Sequence, residues 1–317
     1  MALTAFVAGT GLLNCDLLYI GMSKIPDEGT EVYSNGFEMQ LGGGTPAEMI
    51  NLSKLNVPVS LATFIGEDFF SEFARKKLDA YGVNYKNLYI GTGKPVTVTS
   101  VVITKNERTF ISYVDMPEID SNIKEQIYEF HKDASIIKIS PSMVEVYEKI
   151  KLHNPSVQLV LDMGWSEDLS LETLDKTLKL ADYFMPNSKE AMKITGTDSP
   201  EAAAEVLSRY FENSIVKLGP EGCLLYKDGV RYYIPELPGI KSVDATGAGD
   251  AFLTGFLYGL YHNCDIIDCI CYGNAMGGRC VEKIGCIVDA ISEEQLVKDA
   301  RLIKALYEET CMANKLK

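Results

Sequence analysis

The sequence lacks the features that mark membrane, nucleic-acid-binding and exported proteins. Its apolar runs all fall short of the roughly 20 residues that a membrane-spanning helix needs. Its 30 Lys and Arg residues are outnumbered by 44 Asp and Glu residues, and a formal net charge of −14 does not suit binding to a phosphate backbone. The N-terminal segment has no basic stretch of the kind that opens a signal peptide. We therefore expect a cytoplasmic protein that binds neither a membrane nor a nucleic acid.

The cysteines and histidines form no recognisable pattern either. Eight cysteines would suit four disulfides by number, but the missing signal peptide favours a reducing compartment and free thiols. Cys269 and Cys271 have no second Cys or His pair at zinc-ligand spacing. The three histidines accompany no Ser or Cys nucleophile in a known arrangement. These absences argue against a disulfide scaffold, a zinc site and a hydrolase triad.

What the chain does contain is a regular alternation of strand and helix patterns. With 317 residues, 46% of them hydrophobic and 23% charged, it has the composition of a soluble globular enzyme. We predict strands at 4–8, 59–63, 136–139, 158–161, 183–185 and 215–218, and helices at 46–55, 69–81, 121–130, 143–152, 171–180, 188–194 and 200–211. Several strands are apolar throughout, as in a parallel sheet covered on both faces. The alternation predicts an α/β fold with a doubly wound, mostly parallel sheet and ligands at the carboxyl ends of its strands.

Two segments, 31–41 and 95–114, interrupt this alternation. Both show the period of two that is typical of strands with one buried face, and a turn is expected at 105–107. From the residues alone they are two edge hairpins of the main sheet. Because the chain shows no linker, low-complexity segment or internal repeat, we predict a single domain spanning 1–317.

The run DATGAGDAF, from Asp244 to Phe252, carries the strongest chemical signal. An apolar helical pattern follows it, so the first helical turn lies at 247–250, where free backbone N–H groups favour a phosphate. The small residues Gly247, Ala248 and Gly249 allow a ligand to approach closely. Asp250 then stands where a general base meets a hydroxyl and a phosphoryl group. A plain helix cap is the alternative for a lone Gly-Asp pair.

This run resembles the C-terminal signature of the PfkB, or ribokinase-like, family of carbohydrate kinases. The resemblance implies an anion hole at 247–249, a catalytic base at Asp250, and a monovalent cation, K⁺, near Asp244 and Thr246. It also implies ATP and Mg²⁺, which suits an acidic enzyme that handles an anionic nucleotide. In the family, strands from the two interrupting segments form a small β lid over the sugar, and the lid often clasps a second copy in a homodimer.

The first strand and the lid hold the expected substrate contacts. Asp16 follows the first predicted strand, where a carboxylate can accept hydrogen bonds from two adjacent hydroxyls; the resemblance implies that it grips the sugar, and a turn residue is the alternative. Arg108, in a predicted lid strand, is a second polar candidate. Four lid aromatics would supply a stacking platform for a nucleoside base, although lid strands carry aromatics for packing in any case: Tyr33, Phe37, Phe110 and Tyr113.

The run Gly42, Gly43, Gly44 leads into a helix and resembles the family's N-terminal signature, in which paired glycines let the backbone approach the sugar. An Asn that binds a substrate hydroxyl normally follows. That Asn aligns with Ala47 or with Glu48, depending on which glycines form the pair. Since Ala47 cannot make this hydrogen bond, we expect the common ribokinase and fructokinase substrates to be poor.

Two later segments resemble the magnesium and nucleotide motifs of the family. Asn187 and Glu190 share one helix face, where they would organise water around Mg²⁺; a capping box has the same spacing. Lys217 stands where the family's nucleotide loop has Thr or Ser, and its ammonium would reach the γ-phosphate. The glycines of that loop and a residue on the helix beside the adenine pocket complete the nucleotide-binding candidates: Gly219, Gly222 and Asn274.

The sequence thus predicts an ATP-dependent kinase that phosphorylates a hydroxymethyl group of a monosaccharide or sugar acid, with a nucleoside kinase as the alternative. A nucleotide-dependent oxidoreductase is disfavoured, because Gly9 and Gly11 are followed by Asn14 where the Gly-x-Gly-x-x-Gly motif needs glycine. A non-catalytic regulator is disfavoured by the intact Asp250.

Overall fold

The computed structural model describes residues 5–105, 107–288 and 291–315. Within these ranges the strands are β1 (Val7–Thr10), β2 (Asn14–Met22), β3 (Gly36–Leu41), β4 (Val59–Thr63), β5 (Asn84–Asn87), β6 (Thr97–Thr104), β7 (Arg108–Tyr113), β8 (Ile136–Ile139), β9 (Gln158–Leu161), β10 (Tyr183–Phe184), β11 (Ser214–Lys217), β12 (Cys223–Lys227) and β13 (Val230–Ile234). The helices are α1 (Thr45–Lys54), α2 (Phe69–Ala80), α3 (Ser121–His131), α4 (Val144–His153), α5 (Leu171–Leu180), α6 (Ser188–Thr195), α7 (Pro200–Leu207), α8 (Ala248–Tyr261), α9 (Ile266–Cys280) and α10 (Glu293–Lys315).

A six-stranded parallel sheet forms the centre of the fold, with strand order β10-β9-β8-β1-β4-β5. Its strands are apolar because helices cover both faces. Successive residues alternate between two cores: Val7 packs with α1, α8, α9 and α10, whereas Ala8 packs with α3, α4, α5 and α7. This confirms the predicted doubly wound sheet, and it directs the carboxyl ends of all six strands to one edge.

A separate four-stranded sheet lies at 14–22, 36–41 and 97–113, in the order β3-β2-β6-β7. Strands β2 and β6 pair in parallel, and the two outer pairs are antiparallel. The segment predicted at 31–41 is a strand only from Gly36, and the hairpin predicted at 95–114 is β6 and β7. The expected turn at 105–107 includes Asn106, which lies outside the described residues. Strand β2 was not predicted, and these segments belong to a sheet of their own rather than to edges of the central one.

The prediction for 215–218 needs a correction. This strand, β11, pairs antiparallel with β12 in a three-stranded sheet, and β12 pairs antiparallel with β13. One parallel bridge between Asn187 and Lys217 joins it to the end of β10. The strand therefore continues the order of the central sheet at its edge, while its main ladder runs to the hairpin.

Two simpler expectations can be compared with the fold. The eight cysteines are free, and six of them are buried, which confirms the prediction of thiols. Among the described residues, no helix combines the length and apolar character that spanning a membrane requires.

Candidate active site

The first turn of α8 lies at the carboxyl-end edge of the central sheet. Gly247 is the N-cap with a left-handed φ of 76°, and a Cβ there would approach the Cys286 side chain to 2.9 Å, so only glycine fits. No side chain caps this helix within the described residues. The N–H of Ala248 donates to the carbonyl of Ala245 at 3.3 Å, and no described side chain competes with an anion for the amides of this turn.

Asp250 lies within that first turn and is partly buried. Its Oδ2 accepts a hydrogen bond of 2.7 Å from the backbone N–H of Gly44. Burial raises the pKa of Asp250, the Gly44 hydrogen bond opposes this rise, and the negative charge of Asp162 adds to it. A carboxylate with a raised pKa is a stronger base than an exposed one.

The three glycines at 42–44 pass between two carboxylates. A Cβ on Gly42 would lie 2.8 Å from Oδ2 of Asp16, and one on Gly43 would lie 2.4 Å from Oδ2 of Asp250. Gly44 has a φ of 77° and precedes α1. The glycines are thus needed for close approach, and they place Asp16 and Asp250 on either side of one loop.

Asp16 anchors a polar network on the four-stranded sheet. Its Oδ1 accepts from Nδ2 of Asn14 at 2.7 Å, while Oγ1 of Thr99 donates to Oδ1 of Asn14 at 3.2 Å and lies 2.9 Å from Oγ of Ser112. Burial raises the pKa of Asp16 to about 6, against the opposing effect of the Asn14 hydrogen bond. Asp16 lies within β2, not in a loop after the first strand as the sequence suggested.

Two further carboxyl groups, those of Glu48 and Asp162, lie close to Asp250. Oxygens of Glu48, Asp162 and Asp250 lie within 4.8 Å of one another. Glu48 is 1% exposed and its Oε2 has no hydrogen-bond partner among the described residues, whereas its Oε1 lies 3.9 Å from Nζ of Lys138. Burial raises the pKa of Glu48 to about 8, so this carboxyl is neutral at pH 7. Ala47, the other residue that aligned with the family's Asn, is fully buried.

Lys217 supplies positive charge beside the anion turn. Its Nζ lies 2.8 Å from Oδ1 of Asp162, and a Cβ on Gly249 would lie 3.4 Å from this Nζ. Burial lowers the pKa of Lys217, but Asp162, Glu190 and Asp250 outweigh that effect and the pKa is raised. The side chain is therefore a fixed ammonium next to the first turn of α8.

Asn187 and Glu190 form the capping box of α6, the alternative that their spacing allowed. Oδ1 of Asn187 accepts from the N–H of Glu190 at 3.0 Å, and Oε2 of Glu190 accepts from the N–H of Asn187 at 2.9 Å. Burial raises the pKa of Glu190, with the Asn187 N–H opposing. The carboxylates whose oxygens lie within 4.8 Å of one another are those of Glu48, Asp162 and Asp250, an all-oxygen set that fits Mg²⁺, and among the described residues Glu190 does not belong to this cluster. The magnesium role of Glu190 stays a prediction.

The residues expected near a monovalent cation have a different partner. A guanidinium nitrogen of Arg108 forms an ion pair with Oδ1 of Asp244 and a hydrogen bond with Oγ1 of Thr246. Asp244 also accepts from the N–H of Thr246 at 2.6 Å and from the N–H of Gly285 at 3.2 Å. Both oxygens of Asp244 are therefore engaged, which does not fit a K⁺ ligand. The expected contact between Arg108 and the substrate stays a prediction. The guanidinium group of Arg108 is paired with Asp244.

The remaining nucleotide-binding candidates have structural contacts. A Cβ on Gly222 would lie 2.1 Å from the carbonyl oxygen of Ile234, and Gly219 begins a short 3-10 turn with a φ of 62°. Nδ2 of Asn274 donates to the carbonyls of Ile234 at 3.1 Å and Pro235 at 2.9 Å. These contacts join β13 to its neighbours, and a nucleotide role for the three residues stays a prediction.

The sequence reasoning did not identify Asp162 and Lys138 at all. Asp162 directly follows the predicted strand 158–161, so its position at a carboxyl end was a usable signal. Lys138 lies inside an apolar strand, where only the break in apolar character marked it.

Comparisons with known proteins identify the family and the fold. The model of the pfkB family carbohydrate kinases matches residues 7–293. An uncharacterized sugar kinase of Archaeoglobus fulgidus is 28% identical over 74% of this chain and 96% of its own length, and a cytidine kinase of Thermococcus kodakarensis is 28% identical over 85% and 97%. The structure of Arabidopsis thaliana ribokinase complexed with ribose and ATP shares the fold, with a TM-score of 0.78 and 22% identity over 94% of this chain and 99% of that one.

The family match extends well beyond the signature run, from β1 to the start of α10. It covers the glycine loop, the carboxylates at the sheet edge and the first turn of α8. The chain therefore belongs to the pfkB family of carbohydrate kinases, and it is a phosphotransferase with an alcohol group as acceptor.

Proposed function

We propose that this kinase transfers the γ-phosphoryl group of ATP to a hydroxymethyl group of a monosaccharide or sugar acid. The observation that carries the proposal is the glycine loop at 42–44, which has a hydroxyl-binding carboxylate, Asp16, on one side and a basic carboxylate, Asp250, on the other. A substrate held by Asp16 would present a hydroxyl to Asp250 at the first turn of α8.

In the proposed reaction Asp250 accepts the proton of the substrate hydroxyl. The hydroxyl oxygen forms a bond to the γ-phosphorus while the bond to the leaving oxygen of ADP breaks. The amides at 247–250 and the ammonium of Lys217 stabilise the charge of the transferred group. The proton ends on Asp250 and the products are the phosphate ester and ADP.

Mg²⁺ would be held by Asp162, whose charge also acts on Glu190, and when bound it would neutralise charge on the phosphates. Lys217 contacts Asp162 and keeps that carboxylate turned towards the anion turn. The proposal includes no monovalent-cation step, because Asp244 is engaged by Arg108.

We assign the four-stranded sheet as the lid of one kinase domain spanning 1–317. The strand register places Asp16, Thr99 and Ser112 on one face of this sheet, and their hydrogen bonds form a continuous polar strip. Such a strip suits adjacent sugar hydroxyls.

A nucleoside kinase is the second candidate, and two observations favour it. Phe110 pairs with Val101 on the face that carries Asp16, and its ring is exposed, so it is placed to stack on a base. The cytidine kinase of Thermococcus kodakarensis is among the relatives. Of the other lid aromatics, Phe37 and Tyr113 lie on the opposite face, and Tyr33 precedes β3.

The test is ADP release from ATP and Mg²⁺ across ribose, fructose, 2-keto-3-deoxygluconate, adenosine, inosine and cytidine. We expect one sugar or sugar acid to exceed a kcat/KM of about 10⁴ M⁻¹s⁻¹, with ribose and fructose poor. Phosphorus NMR of the product locates the ester, and a reaction without acceptor measures background ATP hydrolysis. Efficient turnover of a nucleoside alone would overturn the sugar assignment.

A further inference from the structure

Arg108 joins two parts of the fold that are far apart in the sequence. It begins β7 at the edge of the four-stranded sheet, and it contacts Thr246, 138 positions later. The ion pair with Asp244 is enclosed, with side-chain exposures of 17% for Arg108 and 3% for Asp244. Such a buried pair needs both members, because either charge alone would be left without a partner.

Asp244 holds the chain directly before the anion turn. One of its oxygens accepts from the N–H of Thr246 and from Arg108, and the other accepts from the N–H of Gly285. Gly247 follows Thr246, and a Cβ added to it would lie 2.9 Å from Cys286. The carboxylate thus connects the turn at 247–250 to the 285–286 segment, and Arg108 supplies its counter-charge.

A free cation bound to the Asp244 carboxylate would lie next to the Arg108 guanidinium. Two positive charges sharing one buried carboxylate repel each other strongly, since little solvent screens them. Arg108 donates to Thr246 as well as to Asp244, so its planar group also fixes the geometry that a coordinated ion would otherwise fix.

We propose that Arg108 is a positioning residue that takes the place of a monovalent cation, so that activity needs Arg108 and not K⁺. This inference rests on the proposed function, because the turn that Arg108 positions is the proposed anion hole. Since the residue belongs to the four-stranded sheet, it also links the position of that sheet to the geometry of the turn.

The experiment compares wild type, Arg108→Met and Arg108→Lys in the chloride salts of K⁺, Na⁺ and tetramethylammonium at equal ionic strength. Wild-type rates should agree in the three salts. Arg108→Met should lose at least about tenfold in kcat in tetramethylammonium, because a displaced turn no longer matches the transition state, and K⁺ should restore part of that loss. Arg231→Met is the matched control, since Arg231 lies half-exposed on β13 and pairs with Glu205.

A melting experiment without substrate separates this inference from the proposed function. K⁺ should raise the melting temperature of Arg108→Met above its value in tetramethylammonium, and should not do so for wild type. If Arg108→Met does not fold, the inference is still tested by Arg108→Lys and by the comparison of wild-type rates in the three salts. Clear K⁺ activation of wild type, or a Met variant with full activity and no response to K⁺, would overturn the inference even if the substrate panel succeeds.

Discussion

Asp250 combines three properties at the scale of a single residue. It lies in the first turn of α8, it receives the Gly44 N–H, and its pKa is raised by burial. We expect Asp250→Asn to lower kcat at least about a hundredfold, because proton transfer is lost while the turn and the loop keep their shape. Initial rates measure the loss, and titration with an ATP analogue checks that the nucleotide still binds.

The matched control for that substitution is Asp175→Asn, which removes an exposed carboxylate paired with Lys179 on α5. Its rate should equal that of wild type. More than about a tenth of wild-type activity in Asp250→Asn would remove Asp250 from the role of base.

The raised pKa values predict the pH dependence of kcat/KM. Asp250 acts as a carboxylate, so activity falls as the pH drops through its pKa, and this acid limb lies above the ordinary range near 4 because the pKa is raised. Glu48 is neutral below about pH 8 and ionises above it, which adds a negative charge beside the transferred phosphoryl group. The profile should therefore be bell-shaped, with an alkaline limb near pH 8.

Glu48→Gln tests the origin of the alkaline limb. The amide cannot ionise, so the variant should keep the acid limb and lose the alkaline one. Lys217 does not produce this limb, because its pKa is raised and the ordinary pKa of a lysine is already above 10. The same alkaline fall in the variant would assign it to another group.

The candidate site was only partly predictable from the sequence, because some of its contacts join residues that are far apart along the chain. Asp250 and the small residues before it lie within one short run, so their chemistry is visible locally. The partners of Glu48 lie on β8, directly after β9 and on α8, and Arg108 reaches Asp244 only because the four-stranded sheet packs against the segment before α8. Contacts of this kind depend on the fold, and no local pattern in the sequence reports them.

At the scale of the element, the glycine loop is the most constrained piece of backbone. A Cβ on Gly43 would lie 2.4 Å from Oδ2 of Asp250, so Gly43→Ala must displace either the loop or the base. We expect kcat/KM to fall at least about tenfold with a smaller change in melting temperature, since a shift of about 1 Å at the site already costs heavily. Gly36→Ala is the control, because its Cβ would meet only Cβ of Ile20, at 3.6 Å. Equal losses in the two variants would contradict the argument.

The helices and strands were predictable from the sequence where the hydrophobic periodicity was regular. Strands β4, β8 and β9 and helix α5 have the predicted bounds, because each is a short, mostly apolar run or a regular amphipathic stretch. Strand β2 mixes buried and partly exposed residues on both faces, since one face meets the site and the other meets the body of the protein or solvent. The β12–β13 hairpin was missed, and its turn carries a positive φ at Asp228 as well as at Gly229.

At the scale of the whole molecule, the site lies where two sheets meet. The central sheet supplies the carboxyl-end groups and α8, and the four-stranded sheet supplies Asp16 and Arg108. In the proposed site, a protein with a net charge of −14 would bind an anionic nucleotide through backbone amides and Lys217 rather than through a basic surface. This arrangement leaves the opposite face of the four-stranded sheet without a role in catalysis.

The face of the four-stranded sheet that does not carry Asp16 has exposed apolar side chains, which predict self-association. The register places Leu17, Phe37, Ile111 and Tyr113 on it, and the last three are 57%, 66% and 55% exposed. Contiguous exposed apolar side chains on a sheet mark a protein interface, and the family resemblance implies that lids clasp each other. We expect the wild type to be a dimer at micromolar concentrations in sedimentation or light-scattering measurements.

The substitution Ile111→Glu places a charge on that face and should weaken the dimer at least about tenfold, because a buried unpaired charge disfavours association. Leu152→Glu is the control: Leu152 is equally apolar and well exposed, but it lies on α4 away from this sheet. If the face clasps a second copy, only the first variant shifts towards the mass of one chain, 35.0 kDa. A wild type that is monomeric at every concentration, or an Ile111→Glu variant that stays dimeric, would show that this face does not form the interface.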